Sequence, residues 1–291
     1  MRRLRSQKSA DRLSTSLLTN RMSKLRSIPV GHATELAEFV GRILGDGSPL
    51  ISPTYCASEI ESQRRMQLLV SKLFGYCPDI KVSKGNYRIQ LKRICGYALR
   101  LLGIPFGRKA ITNPSVPRLI MESQDSLIWR SFLRGIFDDE ACVSSHGIEI
   151  GLAVRQTARS DPADESLKKR PTRSKILDGI SELLNRLGIR HTSRRGQVYS
   201  VGGAVAICWF IRIPPRQARK VLALGLFLLP KKLEKLQSLI RQIDRVLCCM
   251  AGLEYMKMSK GGHQNEKLDE QIWTETLRKI GHATQQDREK A

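Results

Sequence analysis

At 291 residues the chain is long enough to bury a hydrophobic core and predicts two compact units. Its 50 lysines and arginines against 27 acidic residues give a formal net charge of +23, while 41% of its residues are hydrophobic. This combination excludes a disordered basic tail and predicts a folded protein whose positive field attracts a phosphate backbone. A membrane surface would suit the charge as well, but the longest apolar run, residues 204–211, is far shorter than the roughly 20 residues that span a membrane.

Cysteine usage predicts the compartment. The seven cysteines are at positions 56, 77, 95, 142, 208, 248 and 249. They form no C-x-x-C pair, and the chain has only five histidines, so the spacing is not that of a zinc site. An odd number of cysteines without framework spacing predicts reduced, mostly buried thiols, and hence an intracellular, reducing compartment such as the cytoplasm, the nucleoid, a mitochondrion or a chloroplast.

Residues 1–30 carry eight lysines and arginines against the single acid Asp11. No apolar segment follows these basic residues, which excludes a secretory signal. The composition favours a flexible basic arm, and an organelle transit peptide, which has a similar composition, is the alternative.

Residues 31–122 predict one α+β unit. Thr34 is placed to cap a helix that carries the sequence FVGRILGDG at residues 39–47, with Glu35 and Glu38 in its first turn. The residues that follow contain two prolines and leave little room for a pair of strands. Hydrophobic spacing then predicts, in order, a helix over 59–75, a hairpin of alternating residues around a turn at 84–86, and a helix over 93–102.

Residues 123–238 repeat this plan. The predicted elements are a helix over 126–137, a strand over 148–154, a polar insertion over 158–174, a helix over 176–187, a turn at 194–197 leading into a strand over 198–201, and a helix over 218–228. From Asp46 to Gly75 is 29 positions and from Glu140 to Gly188 is 48, and the difference of 19 is close to the 17 residues of the insertion. The spacing therefore indicates a tandem repeat. Residues 239–291 predict a C-terminal extension with helices around 239–250 and 270–280.

The two repeats share one short motif, FVGRILGDG in the first and LRGIFDDEA in the second. Gly41 and Gly45 are four residues apart, so they share one helical face and leave it without side-chain bulk, and Gly135 occupies the matching place in the second copy. Two such helices can cross at close backbone distance. If they pack on each other, Asp46 and Glu140 emerge side by side, and paired acids suggest metal binding.

These paired segments resemble the signature of the LAGLIDADG homing endonucleases in their single-chain, two-motif form. The resemblance covers about residues 33–235. It implies an α+β fold of tandem pseudo-symmetric αββαββα repeats, with two saddle-shaped antiparallel sheets lying on DNA and a central pair of packed motif helices. It also implies that Asp46 and Glu140 are the metal-binding acids.

Two positions depart from the family pattern. Asp139 places a carboxylate where a small residue is usual. Ala141 follows the second acid, whereas the family has a glycine there; the first copy keeps that glycine as Gly47. Asp139 either raises the local negative charge or points to solvent, and the sequence leaves both open. Asp138 occupies a position that is often acidic in the family, where it would serve the helix interface rather than catalysis.

Cleavage of a phosphodiester requires stabilisation of the charge on the attacking and departing oxygens, and divalent cations held by carboxylates supply it. The hypothesis is that Asp46 and Glu140 bind two or three Mg²⁺ ions between them, with Mn²⁺ as another suitable cation. By analogy with the family, peptide carbonyls at Gly45 and Asp139 are further ligands. The alternative is that both acids only follow helices and face solvent.

Polar sheet faces are the predicted DNA contacts, because Arg and Gln can read base edges while Lys mostly holds phosphate. The alternative is an ordinary solvated sheet face. The candidates on strands and hairpins are Lys81, Lys84, Arg88, Gln90, Lys92, Arg155 and Gln156. The candidates in loops, expected to contact phosphate, are Lys168, Lys169, Arg170, Arg194 and Arg195.

The sequence thus predicts a monomeric, site-specific, divalent-metal-dependent endonuclease for double-stranded DNA, of the kind associated with intron homing. One alternative is an RNA maturase that helps an intron to splice on the same fold; the short segment after Gly47 favours it. The other is a DNA-binding regulator without enzymatic activity, against which the retention of both acids argues.

Overall fold

The computed structural model describes residues 30–83, 85–156, 171–201 and 204–259. The chain divides into two units, Met1–Ile240 and Arg241–Ala291, and the candidate site lies in the first. Residues 1–29 of the predicted basic arm and the predicted helix 270–280 lie outside the described residues.

The first repeat has the predicted order of helix, strands, helix, hairpin and helix. Its elements are α1 (Ala33–Leu44), β1 (Gly47–Ser48), β2 (Thr54–Ala57), α2 (Ile60–Phe74), β3 (Ile80–Ser83), β4 (Asn86–Gln90) and α3 (Arg93–Leu101). Two strands do follow the first motif, contrary to the expectation of too little room, because β1 needs only two residues to pair with β2. The helix α2 ends at Gly75, whose φ of 69° is the left-handed conformation that glycine adopts without strain.

Thr34 is not the N-cap of the first motif helix. A 3-10 turn, Val30–His32, leads directly into α1, so that His32 takes the cap position and Thr34 lies inside the first turn. The Thr34 hydroxyl instead donates a hydrogen bond to the neighbouring Glu35 carboxylate at 2.9 Å.

After the short helices α4 (Lys109–Thr112) and α5 (Arg118–Met121), the second repeat follows. Its elements are α6 (Ser126–Glu140), β5 (Ala141–Ser144), β6 (Gly147–Arg155), α7 (Lys175–Arg186), β7 (Thr192–Val201), β8 (Ala204–Ile213), α8 (Ala218–Ala223) and α9 (Pro230–Ser259). The motif helix is three residues longer than predicted, and the strand β5 that follows it was missed. The predicted helix over 218–228 ends at Ala223, because Gly225 adopts a φ of 63°.

The predicted turn at residues 194–197 does not exist. Both Arg194 and Arg195 lie in the continuous strand β7, where they pair with Phe210 and Trp209 of β8. The pairing register then shifts between Arg195 and Val198, so the segment that contains Gly196 is a β-bulge and not a turn. The two arginines are therefore strand residues on opposite faces of a sheet, not loop residues.

The two repeats form two four-stranded antiparallel sheets. Their strand orders are β1-β2-β4-β3 and β5-β6-β8-β7. The edge strands β1 and β5 start directly after the motif acids, so both sheets extend from the ends of the two motif helices. The α+β class, the two antiparallel sheets and the central helix pair that the resemblance implies are thereby confirmed.

The motif helices α1 and α6 pack at close backbone distance. A Cβ atom added to Gly41 would lie 2.3 Å from the carbonyl oxygen of Phe132, and one added to Gly135 would lie 2.6 Å from the carbonyl oxygen of Glu38. Phe132 itself is fully buried. The crossing therefore depends on these two glycines, since any side chain there would force the helices apart.

Thiol burial differs from the expectation of mostly buried cysteines. Of the six free cysteines whose surroundings the structure describes, Cys95 is buried, whereas Cys56, Cys77, Cys142 and Cys248 are exposed. Cys56 and Cys142 lie in strands, each at an exposed position next to a buried residue. Over the described ranges, no helix has the length and apolarity needed to cross a membrane.

We predict that Gly41→Ala lowers the free energy of unfolding by at least about 1 kcal/mol. Alanine favours a helix by about 1 kcal/mol over glycine. An added Cβ would lie 2.3 Å from a backbone carbonyl oxygen, where no flexible side chain can yield, so the overpacking cost falls in the upper part of the usual range of about 1–3 kcal/mol and leaves a net loss of about 1–2 kcal/mol. Urea denaturation followed by circular dichroism measures the change. The matched control is Gly31→Ala, where an added Cβ has nothing within 4 Å and the change should stay within about 0.5 kcal/mol. Equal stability of the two variants would contradict the close crossing.

Candidate active site and nucleic-acid interface

Asp46 and Glu140 emerge at the same end of the motif helix pair. Glu38 lies against Gly135 and Gly45 lies against Asp139, so residue numbers rise in the same direction along both helices and the pair is parallel. Glu140 is the last residue of α6, and Asp46 follows the end of α1 by two residues. Asp46 is exposed and the Glu140 side chain is 23% exposed, so solvent reaches both carboxylates.

The two acids influence each other electrostatically. Burial raises the pKa of Glu140, and the neighbouring Asp46 carboxylate raises it further. Desolvation by the surrounding protein likewise raises the pKa of Asp46, although this side chain remains in contact with solvent. A site that resists the ionisation of its own carboxylates favours the arrival of a positive ion or group.

Two lysines lie beside the acids, and sequence analysis missed both. Lys109, from α4, is 3.9 Å from the Glu140 carboxylate and donates a hydrogen bond to the Leu44 carbonyl at 2.9 Å. Lys232, from α9, donates to the Ala141 carbonyl. Both lysines lower the pKa values of the two acids, while burial lowers the pKa of Lys109 itself. Both lysines follow the third helix of their repeat. This matching position is the sequence signal that could have identified them as site residues.

The donor set fits a hard divalent cation. Mg²⁺ keeps several waters and is usually held by one or two carboxylates together with the phosphates of the substrate. The two acids supply the carboxylates, and the peptide carbonyls at Gly45 and Asp139 lie at helix C-termini, where carbonyl groups lack partners within the helix. Within the described residues, no three His, Cys, Asp or Glu side chains converge on one point, so the phosphate of a substrate would have to complete such a site.

The side chain of Asp139 points into the protein, which resolves the choice that the sequence left open. It is 1% exposed, and its Oδ1 accepts hydrogen bonds from the Tyr55 hydroxyl at 2.7 Å and from Arg42 at 3.3 Å. Its Oδ2 accepts from the backbone N–H of Asp46 at 3.3 Å. Burial raises the pKa of Asp139 and the Asp46 carboxylate adds to the rise, while Arg42 and the hydrogen bonds from Tyr55 and the Asp46 N–H lower it by favouring the ionised form.

A fully buried arginine, Arg42, joins the two motif helices. Its Nη2 donates to Asp138 at 2.7 Å and its Nε donates to Glu38 at 3.2 Å. Asp138 also accepts hydrogen bonds from the backbone N–H groups of Leu228 and Leu229 at 2.9 and 3.2 Å. Asp138 thus serves the helix interface, as the sequence suggested, and Arg42 balances acids from both helices.

Glu38 binds a second arginine as well. Although burial raises the pKa of Glu38, the hydrogen bonds from Arg65 and the charges of the nearby arginines lower it below its ordinary value. This carboxylate therefore stays ionised inside the interface, and α2, which carries Arg65, is tied to α1.

The uncovered face of the first sheet carries the predicted contacts of its hairpin. Lys81 pairs with Arg88 across the strands, and Gln90 lies two residues further along β4 on the same face. All three side chains are exposed. Lys92 lies beyond the strand, with its ammonium 4.3 Å from the centre of the Tyr76 ring, and Lys84 lies outside the described residues.

The uncovered face of the second sheet has a different chemistry. Arg194 pairs with Glu149 at 2.7 Å and lies over the ring of Phe210. Arg155 shares this face, whereas Arg195 pairs with Trp209 and therefore lies on the opposite face. The insertion residues Lys168, Lys169 and Arg170 lie outside the described residues.

Gln156 is not available to DNA, contrary to the sequence prediction. It is 2% exposed, and its amide is fully used within the protein. The Oε1 atom accepts from the Thr172 N–H at 2.8 Å, and the Nε2 atom donates to the carbonyls of Val154 and Thr172. This glutamine closes the strand end against the segment at Thr172 instead of reading a base.

Comparison with known proteins finds similarity among solved structures. No protein-family model matches the sequence, and the comparison with curated proteins finds no match. A structure of mesophilic variants of the homing endonuclease I-DmoI has a TM-score of 0.44 at 16% identity, covering 71% of this chain and 98% of that one. I-DmoI in complex with DNA and Ca has a TM-score of 0.43 at 16% identity, with coverage of 69% and 96%.

A further similarity is to the N-terminal LAGLIDADG domain of DUF199/WhiA, with a TM-score of 0.38 at 16% identity, covering 72% of this chain and 91% of that one. These are similarities of fold at low identity.

We predict that Arg42→Met destabilises the protein by about 3–5 kcal/mol. Methionine has a similar length but leaves the carboxylates of Glu38, Asp138 and Asp139 without their shared cation, and a buried charge that loses its partner is strongly destabilising. Urea denaturation measures the loss. The control Arg118→Met removes the exposed ion pair with Glu122, which should change stability by less than about 1 kcal/mol. A loss no larger for Arg42→Met than for this control would show that the buried cation does not hold the helices together.

Proposed function

We propose that this chain is a site-specific, divalent-metal-dependent endonuclease that hydrolyses both strands of duplex DNA. The observation that carries the proposal is the parallel helix pair, which brings Asp46 and Glu140 to one end, where each acid leads directly into a separate antiparallel sheet. One chain supplies both acids and both sheets, so the proposed enzyme acts as a monomer.

The residues at the site suit phosphodiester hydrolysis. The Asp46 and Glu140 carboxylates would hold Mg²⁺ or Mn²⁺, which when bound supplies positive charge at the phosphate and an activated water. Lys109 and Lys232 are placed to neutralise charge that develops on phosphate oxygens, and their hydrogen bonds to backbone carbonyls hold the two ammonium groups in position. Each acid would serve the strand nearest its own repeat.

The sheets supply the proposed DNA interface. The net charge of +23 favours binding to a phosphate backbone, and the exposed polar face of the first sheet carries groups able to contact base edges in the major groove. Arg88 and Gln90 are the proposed base-reading residues, and Lys81 the proposed phosphate contact. On the second sheet, Arg155 and Arg194 are the proposed contacts.

We predict that Asp46→Asn and Glu140→Gln each abolish double-strand cleavage and leave DNA binding intact. Both substitutions keep the shape of the side chain and remove the charge that holds the cation. Duplexes enriched from a randomised library for binding are incubated with Mg²⁺, with Mn²⁺ or with EDTA, and the products are separated by electrophoresis. The matched control is Glu122→Gln, which neutralises an exposed acid that directly follows α5, and it should cleave like the wild type.

Two results would contradict the nuclease proposal. Full metal-dependent cleavage by Asp46→Asn would show that this acid does not hold the catalytic cation. Tight binding of selected duplexes without any cleavage by the wild type would instead identify a DNA-binding regulator, and a parallel intron-splicing assay tests the RNA maturase. The shortness of the segment after Gly47 is the ground that favours the maturase; because this segment holds β1 and β2, that ground no longer applies.

We predict that Lys81→Gln reduces the salt dependence of duplex binding by about 0.9 in the log–log slope, the change expected for one lost phosphate contact. Binding measured by fluorescence anisotropy across a series of salt concentrations gives the slope. Arg118→Gln removes the same charge from a side chain that is 90% exposed on α5, so it is the matched control. Equal slopes for the two variants would mean that the first sheet does not face the DNA backbone.

A further inference from the structure

Asp139 and Gly45 form a matched pair across the motif helices. A Cβ atom added to Gly45 would lie 2.7 Å from the Cβ of Asp139 and 2.8 Å from its Oδ2. The unusual carboxylate in the second motif therefore occupies space that the first motif leaves free. Because Asp139 is the counterpart of Gly45 in the repeat, only one half of the site has a side chain at this place.

Both oxygens of the Asp139 carboxylate are committed. Oδ1 accepts hydrogen bonds from Tyr55 and Arg42, and Oδ2 accepts from the backbone N–H of Asp46 at 3.3 Å. The carboxylate thus contacts the peptide group of the first acid directly and is held on its other side by two donors. Because Tyr55 and Arg42 hold Oδ1, the rest of the carboxylate is held as well, and Oδ2 stays directed at the Asp46 N–H.

The network continues into the first sheet. Tyr55 is a fully buried residue of β2 whose hydroxyl also contacts the Ser62 hydroxyl on α2 at 2.5 Å. It pairs with Gly47, the residue that follows Asp46, in the β1–β2 ladder. Its neighbours Thr54 and Cys56 pair with Gln90 and Arg88 on the proposed DNA-reading strand. Asp46 is therefore held from both sides, by the ladder and by Asp139.

Glu140 is placed in another way. It is the last residue of α6, so the helix itself fixes its backbone, and no side chain stands at Gly45 to reach it. Asp46 lies beyond the end of α1, where no helical turn continues to fix it. The two acids are consequently positioned by different means.

We propose that Asp139, anchored by Tyr55 and Arg42, is a positioning residue that fixes the backbone of Asp46 and so governs cleavage of one DNA strand. This inference rests on the proposed nuclease function. Displacing a reacting group by about 1 Å can reduce a rate by about 100-fold, so a hydrogen bond that sets the place of one acid can act on one strand selectively.

The test uses Tyr55→Phe, which removes only the hydroxyl that anchors Asp139. Cleavage of each strand is followed on a duplex labelled separately at its two 5′ ends. Binding of Mn²⁺ to the complex of the protein with a selected duplex, measured against the same duplex without protein, is followed by electron paramagnetic resonance. The matched control is Tyr87→Phe, which removes a hydroxyl from the neighbouring strand β4, outside the network.

The expected result is that Tyr55→Phe slows one strand by about ten-fold or more and the other by less than about two-fold. The slowed strand should be the one that Asp46→Asn slows most, and Mn²⁺ binding should weaken relative to Tyr87→Phe. If Tyr55→Phe does not fold, Asp139→Ala takes its place, since it removes the acceptor of the Asp46 N–H and leaves Arg42 its ion pairs with Glu38 and Asp138.

Equal slowing of both strands, or no slowing of either, overturns the inference. If the wild-type protein cleaves no selected duplex, the nuclease proposal fails separately, and Mn²⁺ binding then decides whether Asp139 positions Asp46. Weaker Mn²⁺ binding by Tyr55→Phe than by Tyr87→Phe supports that role, and equal or undetectable binding overturns it.

Discussion

The close crossing of α1 and α6 is the constraint on which the rest of the structure depends. Because Gly41 and Gly135 have no side chains, the two backbones approach until a Cβ atom would meet a carbonyl oxygen. That approach makes the helices parallel neighbours, which places both C-terminal ends, and hence Asp46 and Glu140, together. The edge strands β1 and β5 then start from this point, so the positions of the sheets follow from the same contact.

A parallel crossing carries an electrostatic cost. Two helix C-termini, each with a partial negative charge, meet beside two carboxylates, and like charges repel. The chain compensates from within: Arg42 lies between the helices against Glu38, Asp138 and Asp139, while Lys109 and Lys232 lie at the exposed end on backbone carbonyls. The buried cation serves the interface, and the two lysines moderate the acids where solvent and phosphate can reach them.

The sequence predicted the features that depend on neighbouring residues, and it missed those that depend on residues far apart in the chain. The helix α2 and the hairpin β3–β4 follow from local periodicity and from Gly75, and the motif pair followed from repetition. The bulge in β7 did not, because Gly196 accommodates the Phe210 ring of another strand while its neighbours in sequence are typical of a turn. The roles of Arg42 and Lys109 also depend on partners far away in the chain, which no local pattern indicates.

The two sheet faces differ in a way that bears on recognition. On the first, Lys81 and Arg88 are exposed and form no ion pair with any described residue, so DNA can bind them without displacing an acid. On the second, Arg194 is already paired with Glu149, and the Phe210 ring covers Gly151 and Gly196. A phosphate must replace Glu149 before it gains the charge of Arg194, which reduces the net electrostatic gain there. The repeat thus supplies two sheets of one topology, and in the proposed DNA complex the first would contribute the larger share of the attraction to the phosphate backbone.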